Sequence, residues 1–211
     1  MGKIVVFGAG GRAGRHTVAE AVARGHEVTA VVRDPANYTG PAEVSVVAGD
    51  VTDPTGVAVV AAGHDAAINA AARLDVSSAE FYTGATNALL DGLAVAGVGR
   101  LVLVGIGTML EAAPGVPLYD TPGFPAGARE FSLGHVAELE ILLAAETPVD
   151  WLVLAPPPVV LDDEAPRTGR YRIGGTRVPS TASFAYADLA AALIDEVETP
   201  AHHRVLAAVT P

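Results

Sequence analysis

Short apolar runs alternate with longer stretches of helical periodicity along most of the chain. The near-continuous apolar runs predict strands that are buried on both faces of a sheet. These runs are Lys3–Phe7, Glu27–Val32, Glu43–Val47, Ala66–Asn69, Arg100–Val104 and Asp150–Leu154. The stretches between them predict the helices Arg12–Arg24, Pro54–Ala62, Ser78–Ala96 and Ala126–Ala145. Strands that alternate with helices are typical of an α/β fold, so we predict a doubly wound parallel sheet with helices on both faces.

The pattern changes after the sixth predicted strand. Residues 156–185 combine three consecutive prolines, the acidic patch Asp162-Asp163-Glu164 and a glycine-rich stretch, and they predict an irregular substrate-side segment with one short strand. We interpret the acidic patch as a solvated loop. A last helix over Tyr186–Val197 and a last strand over Arg204–Val209 complete the prediction. Since no repeat and no long linker divides the chain, residues 1–211 are predicted to form a single domain.

A glycine-rich turn joins the first predicted strand to the first predicted helix. It reads Gly8-Ala9-Gly10-Gly11-Arg12-Ala13-Gly14 and fits two spacings, GxxGxxG or GxGxxA. A turn of this kind brings backbone N–H groups and the positive end of a helix close to a pyrophosphate. We therefore predict a dinucleotide cofactor, held by Gly8, Gly10, Gly11, Arg12, Ala13 and Gly14.

The end of the second predicted strand indicates which dinucleotide is bound. Arg33 follows this strand and lies 19 residues after Gly14, close to the spacing of about 20 residues at which such folds meet the adenosine ribose. A guanidinium there matches a 2′-phosphate, and Arg12 could offer a second one. Asp34 could instead accept hydrogen bonds from free ribose hydroxyls. We favour NADP(H) and keep NAD(H) as the alternative.

Composition and charge exclude several functional classes. The formal net charge of −11 repels nucleic acid backbones and anionic membranes, so we expect neither as a partner. The chain has no cysteine, which excludes disulfides and thiol nucleophiles, and its six histidines lack metal-binding spacing, so no metal is expected. No apolar run reaches about 18 residues and no signal peptide is evident, so we expect a cytoplasmic protein.

Further candidate cofactor contacts follow the other predicted strands, because ligands of open α/β sheets bind at the carboxyl ends of the strands. Asp50 and Val51 follow the third strand. The Asp50 carboxylate could accept a hydrogen bond from the exocyclic amine of adenine, or it could only stabilise a turn. Ala70 and Ala71 follow the fourth strand and are small enough for a cofactor to pass closely. Pro156 follows the sixth strand.

These features together resemble the atypical, NAD(P)H-binding short-chain dehydrogenase/reductases, close to the NmrA-like, flavin-reductase and biliverdin-reductase-B-like proteins. The resemblance implies a Rossmann-like fold and a nicotinamide cofactor, and it is less specific for the reaction. It extends from residue 4 to about residue 160 and continues near residue 184. The segments that carry it are Ile4–Gly14, Arg24–Val28, Val31–Pro35, Gly49–Val51, Asn87–Leu90, Asp150–Pro156 and Phe184–Ala190.

One motif of the wider superfamily is missing. Its catalytic members carry Tyr-x-x-x-Lys on the helix after the fifth strand, where the tyrosine donates a proton and the lysine holds the nicotinamide ribose. Phe131 and His135 stand at these two positions here, so the usual carbonyl-reductase mechanism does not transfer. His135 could contact the ribose or donate a proton near neutral pH, or it could be a helix histidine that faces solvent or packs within the fold. Thr108 and Tyr119 are the other candidate catalytic hydroxyls.

The missing tyrosine bears on the expected reaction. Hydride transfer to a flavin depends little on a dedicated acid, because the cofactor and the acceptor supply the chemistry while the protein orients them. We therefore expect an NADPH-dependent reductase of a flavin, a quinone or a related small conjugated acceptor, and the sequence leaves the oligomeric state open. The alternative is a non-catalytic NADP(H) redox sensor of NmrA-like type. A sugar-nucleotide epimerase is disfavoured, since it needs the same tyrosine.

Overall fold

The computed structural model describes all residues from Met1 to Pro211 and contains ten strands and five α-helices. The strands are β1 Lys3–Phe7, β2 Glu27–Val32, β3 Ser45–Ala48, β4 Ala66–Asn69, β5 Arg100–Val104, β6 Glu111–Ala113, β7 Val116–Pro117, β8 Asp150–Ala155, β9 Arg172–Ile173 and β10 Val205–Thr210. The helices are α1 Arg12–Ala23, α2 Pro54–Ala61, α3 Ser78–Ala96, α4 Ala126–Ala144 and α5 Tyr186–Glu198. No helix combines the length and the apolar character that crossing a membrane requires.

Eight of the strands form one sheet in the order β3-β2-β1-β4-β5-β8-β10-β9, and β6 pairs with β7 in a small hairpin. All neighbours in the large sheet are parallel except β9, which runs antiparallel to β10. The strand order reverses at β1, which pairs with β2 on one side and β4 on the other. The predicted fold class is confirmed as a Rossmann-like, doubly wound α/β fold, with its ligand crevice at this reversal.

Two hydrophobic clusters cover the two faces of the sheet. Helices α2, α3 and α4 pack around Phe7, Leu89 and Trp151 on one face. Helices α1 and α5 pack around Ile4 and Leu193 on the other. Because both faces of the central strands are buried, their sequences are apolar without alternation, and this is why β1, β4, β5 and β8 could be predicted from apolar runs.

Local capping sets where several helices begin and end. The Asp53 side chain accepts a hydrogen bond from Thr55 N at 3.0 Å and begins α2, and the Ser77 side chain accepts one from Glu80 N at 3.1 Å and begins α3. Gly97 ends α3 in the left-handed region with φ of 74°. A glycine adopts this conformation without the steric cost of a Cβ.

Some predicted boundaries are wrong by one or two residues. The third strand begins at Ser45 rather than Glu43, because Ala42 and Glu43 form a turn before the chain reaches β2. The last strand begins at Val205 rather than Arg204, whose φ of 52° does not fit an extended strand.

Candidate functional site

A cleft of about 810 Å³ lies at the carboxyl ends of the central strands. Most of the residues predicted to bind the cofactor line it together: Gly8, Gly10, Gly11, Arg12, Ala13, Arg33, Asp50, Val51, Ala70, Ala71, His135 and Pro156. Gly14, Thr108 and Tyr119 are not among its lining residues. The fold thus gathers into one cavity residues that come from five different strand ends and from α4.

The glycines of the turn after β1 differ in how much space a side chain would have at each position. Gly8 has a φ of 74°, and a Cβ there would lie 2.6 Å from the carbonyl carbon of Ala70. Gly14 lies behind the turn, where a Cβ would come within 2.8 Å of Cα of Ala9. A Cβ on Gly10 would meet only Val32 Cγ1, at 3.5 Å. Gly8 therefore lets the turn approach the segment after β4, Gly14 lets α1 pack tightly on the turn, and Gly10 keeps the cleft open.

The N-terminus of α1 fits a pyrophosphate. Its N-cap residue, Gly11, offers no side-chain acceptor, and the first turn carries no acidic residue. The first backbone N–H groups of a helix lack partners within the helix, so a bound anion can accept hydrogen bonds from them. The Arg12 guanidinium also lies here, 5.7 Å from the centre of the Tyr186 ring. This contact turns Arg12 towards α5.

Two acidic side chains that line the cleft, Asp34 and Asp50, accept hydrogen bonds from residues that follow them closely in sequence. The Asp34 carboxylate accepts hydrogen bonds from Ala36 N at 3.1 Å and from the Asn37 side chain at 2.6 Å. The Asp50 carboxylate accepts hydrogen bonds from the backbone N and the hydroxyl of Thr52, which lower the pKa of Asp50. Asp50 therefore stabilises a turn, one of the two roles left open above, while still lining the cleft.

Two guanidinium groups accompany these acids. Arg33 is exposed and lines the cleft. Arg73, which sequence reasoning missed, lines it too, and its Nε donates to Asp75 at 3.0 Å. Its position shortly after the end of β4 was the available signal. We call Arg33, Asp34, Asp50 and Arg73 the polar end of the cleft.

A second group of lining residues, which we call the aromatic end, consists of Phe81, Tyr82, Phe131 and His135. The centre of the His135 ring lies 3.8 Å from that of Tyr82 and 5.5 Å from that of Phe131. The Nδ1 atom of His135 lies 2.9 Å from Oε2 of Glu138, while its Nε2 is buried without a hydrogen-bond partner. His135 is therefore buried rather than solvent-facing, and it lines the cleft while one of its ring nitrogens has no hydrogen-bond partner.

Tyr82 and Glu138 are site residues that the sequence analysis missed. Tyr82 is on α3, and burial raises the pKa of its phenol, so the hydroxyl keeps its proton at neutral pH. The aromatic end thus contains a tyrosine even though position 131 does not. Glu138 lies three residues after His135 on α4, and this helical spacing was the available signal. Tyr82 has no such signal, since it reaches the site only through the packing of α3 against α4.

The two other predicted catalytic hydroxyls, those of Thr108 and Tyr119, lie outside the set of side chains that line the cleft. Thr108 Oγ1 lies 2.8 Å from Ser132 Oγ and ties the short turn after β5 to α4. Tyr119 lies in the short turn Leu118–Asp120, where burial raises the pKa of its phenol. Both follow β5 in sequence, but neither side chain lines the cleft.

Comparison with known proteins adds the family context. A family model described as NAD(P)H-binding matches residues 8–200. A structure from Burkholderia pseudomallei, named as a candidate exported protein, is 34% identical and covers 99% of each chain with a TM-score of 0.87. A candidate epimerase from Bacteroides thetaiotaomicron is 32% identical and covers 98% of this chain and 95% of its own, with a TM-score of 0.84.

A third similar structure carries the name of a candidate NADH-flavin reductase from Streptococcus pneumoniae. It is 26% identical and covers 99% of each chain with a TM-score of 0.84. The three names agree neither on a reaction nor on a location. The cytoplasmic location expected from the sequence therefore stays a prediction.

Proposed function

The chain belongs to the NAD(P)H-binding family, and from that premise we propose that it is an NADPH-dependent reductase of a flavin, a quinone or a related small conjugated acceptor. The observation that carries this proposal is one cleft lined both by the glycine turn and by the aromatic end. When bound there, the nicotinamide group would supply a hydride to the acceptor. The likeness to a candidate NADH-flavin reductase supports this reaction class.

The polar end supports a preference for NADPH over NADH. Asp34 is engaged in its own turn. We therefore expect Arg33, rather than Asp34, to meet the adenosine ribose. Arg33 and Arg73 put two guanidiniums into the cavity of a chain whose net charge is −11. A guanidinium binds phosphate oxygens through two parallel hydrogen bonds and keeps its charge at any working pH.

The aromatic end supports a planar, conjugated acceptor. Flat rings can stack on Tyr82 and Phe131, and Ile106 and Pro156 extend the apolar surface. Phe131 has no proton to donate where carbonyl reductases of the superfamily place tyrosine. Acceptors that spread the incoming negative charge over a ring system need that donor less than a simple aldehyde does.

The test is the anaerobic consumption of NADPH with FMN, menadione or benzaldehyde as acceptor. We expect both FMN and menadione to be reduced faster than benzaldehyde. Faster turnover of benzaldehyde would overturn the proposed reaction class. Tight NADPH binding without turnover of any acceptor would instead favour the redox sensor.

A matched variant locates the activity in this cleft. Gly10→Val adds a side chain where the nearest protein atom to a Cβ lies 3.5 Å away, so the fold should tolerate it. The added methyl groups should occupy the space of the pyrophosphate and abolish both NADPH binding and turnover. Turnover that survives Gly10→Val would show that the reaction takes place elsewhere.

A further inference from the structure

Arg12 lines the cleft and is exposed, and its guanidinium has no acidic partner. The carboxylates of the neighbouring elements are already engaged. Asp163 pairs with Arg15 and His16, and Asp188, in the first turn of α5, accepts three hydrogen bonds from the segment after β8. An unpaired guanidinium in a chain whose net charge is −11 is therefore available to bind an anion.

The Tyr186 ring holds this guanidinium in place. The guanidinium lies over the ring, 5.7 Å from its centre, and an aromatic face stabilises a nearby cation. The ring itself stacks on His16, with 5.6 Å between ring centres and 11° between the planes. The backbone N of Tyr186 donates to the carbonyl oxygen of Asp162 at 3.0 Å. The position of Arg12 is therefore supported before any ligand binds.

The order of the strands relates Arg12 to the two halves of the cleft. Arg33 follows β2, which lies on one side of β1. Tyr186 begins α5, which packs against α1 and β5, and β5 lies on the other side of β1. Since the adenosine ribose meets the end of the second strand in such folds, the nicotinamide and its acceptor belong to the half that contains β5. We therefore expect Arg12 to lie near the acceptor rather than near the 2′-phosphate.

An acceptor with a negative charge needs a positive group in this half of the cleft. The ionised phosphates of the dinucleotide and the net charge of the chain would both repel it. The cleft residues next to Tyr186 are apolar, since Leu189 lies one turn later on α5 and Leu161 precedes Asp162. Arg12 is the cationic side chain that lines the cleft beside them.

We propose that Arg12, positioned by the Tyr186 ring, binds an anionic group of the acceptor, so that the protein prefers phosphate-bearing conjugated acceptors to neutral ones with the same ring. This inference rests on the proposed function and names the class of its acceptor. FMN is such an acceptor, and riboflavin is its neutral counterpart. A guanidinium binds two phosphate oxygens at once through parallel hydrogen bonds, while the flavin ring stacks at the aromatic end.

The first test compares kcat/KM for FMN and riboflavin under anaerobic conditions at saturating NADPH. The parent should prefer FMN about tenfold or more, the effect of a charge-assisted hydrogen bond. Arg12→Gln should bring the two values within about twofold of each other. The matched control is Arg15→Gln on the same helix, which should keep the preference because Arg15 pairs with Asp163 and does not line the cleft. A parent without a preference for FMN overturns the inference.

Two substitutions at Tyr186 test its role as a positioning residue. Tyr186→Leu removes the ring that holds the Arg12 guanidinium, so the preference for FMN should fall about threefold or more. Tyr186→Phe keeps the ring and should retain the preference. A loss of equal size in both variants would assign the effect to the hydroxyl and overturn the role of the ring. An unchanged preference in Tyr186→Leu would overturn it as well.

A binding measurement separates this inference from the proposed function. NADP⁺ carries no hydride to transfer, so flavin fluorescence in its presence reports binding without turnover. The NADP⁺ complex of the parent should bind FMN about tenfold more tightly than riboflavin, and that of Arg12→Gln should bind both equally. A parent that reduces no acceptor contradicts the proposed function, while this titration still tests Arg12. If Arg12→Gln weakens NADPH binding and affects both flavins alike, Arg12 serves the pyrophosphate and the inference is overturned.

Discussion

Nε2 of His16 lies 2.9 Å from a carboxylate oxygen of Asp163, which joins the segment after β8 to helix α1. Arg15 forms a second ion pair with the same carboxylate. The His16 ring also stacks on Tyr186, with 5.6 Å between ring centres. The interpretation of the acidic patch as a solvated loop is therefore wrong for Asp163. This residue connects the segment that contains Leu161, a lining residue of the cleft, to the helix that follows the glycine turn.

Asp163→Asn should make the segment around residue 163 more mobile, because the Asp163 carboxylate connects it to His16 and Arg15 of α1. The amide cannot form either ion pair, so backbone amides near residues 159–165 should exchange with deuterium faster, and NADPH should protect them less. The measurement is hydrogen exchange followed by mass spectrometry. Glu164→Gln removes a charge from an exposed neighbour and serves as the control. Equal exchange in the two variants would show that the contact does not restrain the segment.

The same contact has a predictable pH dependence. His16 and Arg15 lower the pKa of the Asp163 carboxyl. A carboxyl whose pKa is lower in the folded chain contributes stability above its unfolded pKa, about 3.9, and loses that contribution as the pH falls through the lowered value. Protection of the segment should therefore persist at pH 5 and decrease below about pH 4. Protection that is independent of pH in this range would contradict the assignment.

The parts of the site that could be predicted are those that local sequence determines, and the parts that could not depend on tertiary packing. The glycine turn and Arg33 could be predicted because a strand, a turn and a helix that are adjacent in sequence determine their positions. Tyr82 could not, since its neighbourhood depends on how α3 packs on α4, whereas the contact of Glu138 with His135 follows from their spacing of three residues on α4. Thr108 follows a strand end but does not line the cleft, because proximity to a strand end does not determine the direction of a side chain.

Alanine at two glycines of the turn should have opposite effects on stability and binding. Gly14→Ala places a Cβ 2.8 Å from Cα of Ala9, and such overpacking should destabilise the fold by about 1–3 kcal/mol. Gly10→Ala meets nothing closer than 3.5 Å and should leave stability within about 0.5 kcal/mol while weakening NADPH binding. Urea unfolding and calorimetric titration measure the two effects. A Gly10→Ala protein that unfolds as easily as Gly14→Ala would contradict this division.

Arg33→Ala should narrow the difference in affinity between NADPH and NADH. If Arg33 binds the 2′-phosphate, the parent prefers NADPH, and the loss of a charge-assisted hydrogen bond should reduce that preference by about 1–3 kcal/mol. Arg73→Ala is the informative comparison, since Arg73 lines the same end but already pairs with Asp75. We expect it to have the smaller effect. Equal affinity of the parent for both cofactors, by calorimetry, would reject the assignment.

Restoring the Tyr-x-x-x-Lys motif of the superfamily at positions 131 and 135 should give the protein carbonyl-reductase activity. Phe131 lines the cleft, with its ring centre 6.0 Å from that of Tyr82, so Phe131→Tyr places a hydroxyl beside the cavity without changing the ring. His135→Lys supplies the second residue of the motif. Its ammonium would, however, lie close to the Glu138 carboxylate, which would hold it away from the phenol and from the nicotinamide ribose.

Benzaldehyde reduction by NADPH should therefore increase in a defined order. The double variant Phe131→Tyr/His135→Lys should exceed the parent, and adding Glu138→Gln should increase the rate further, towards the roughly 100-fold or larger effect of a positioned acid. Phe81→Tyr is the control, because it adds a hydroxyl to the same aromatic end from α3 rather than α4. An equal gain from Phe81→Tyr would mean that any hydroxyl in the cleft suffices. No gain in the triple variant, with NADPH still bound, would mean that α4 does not present position 131 to the acceptor.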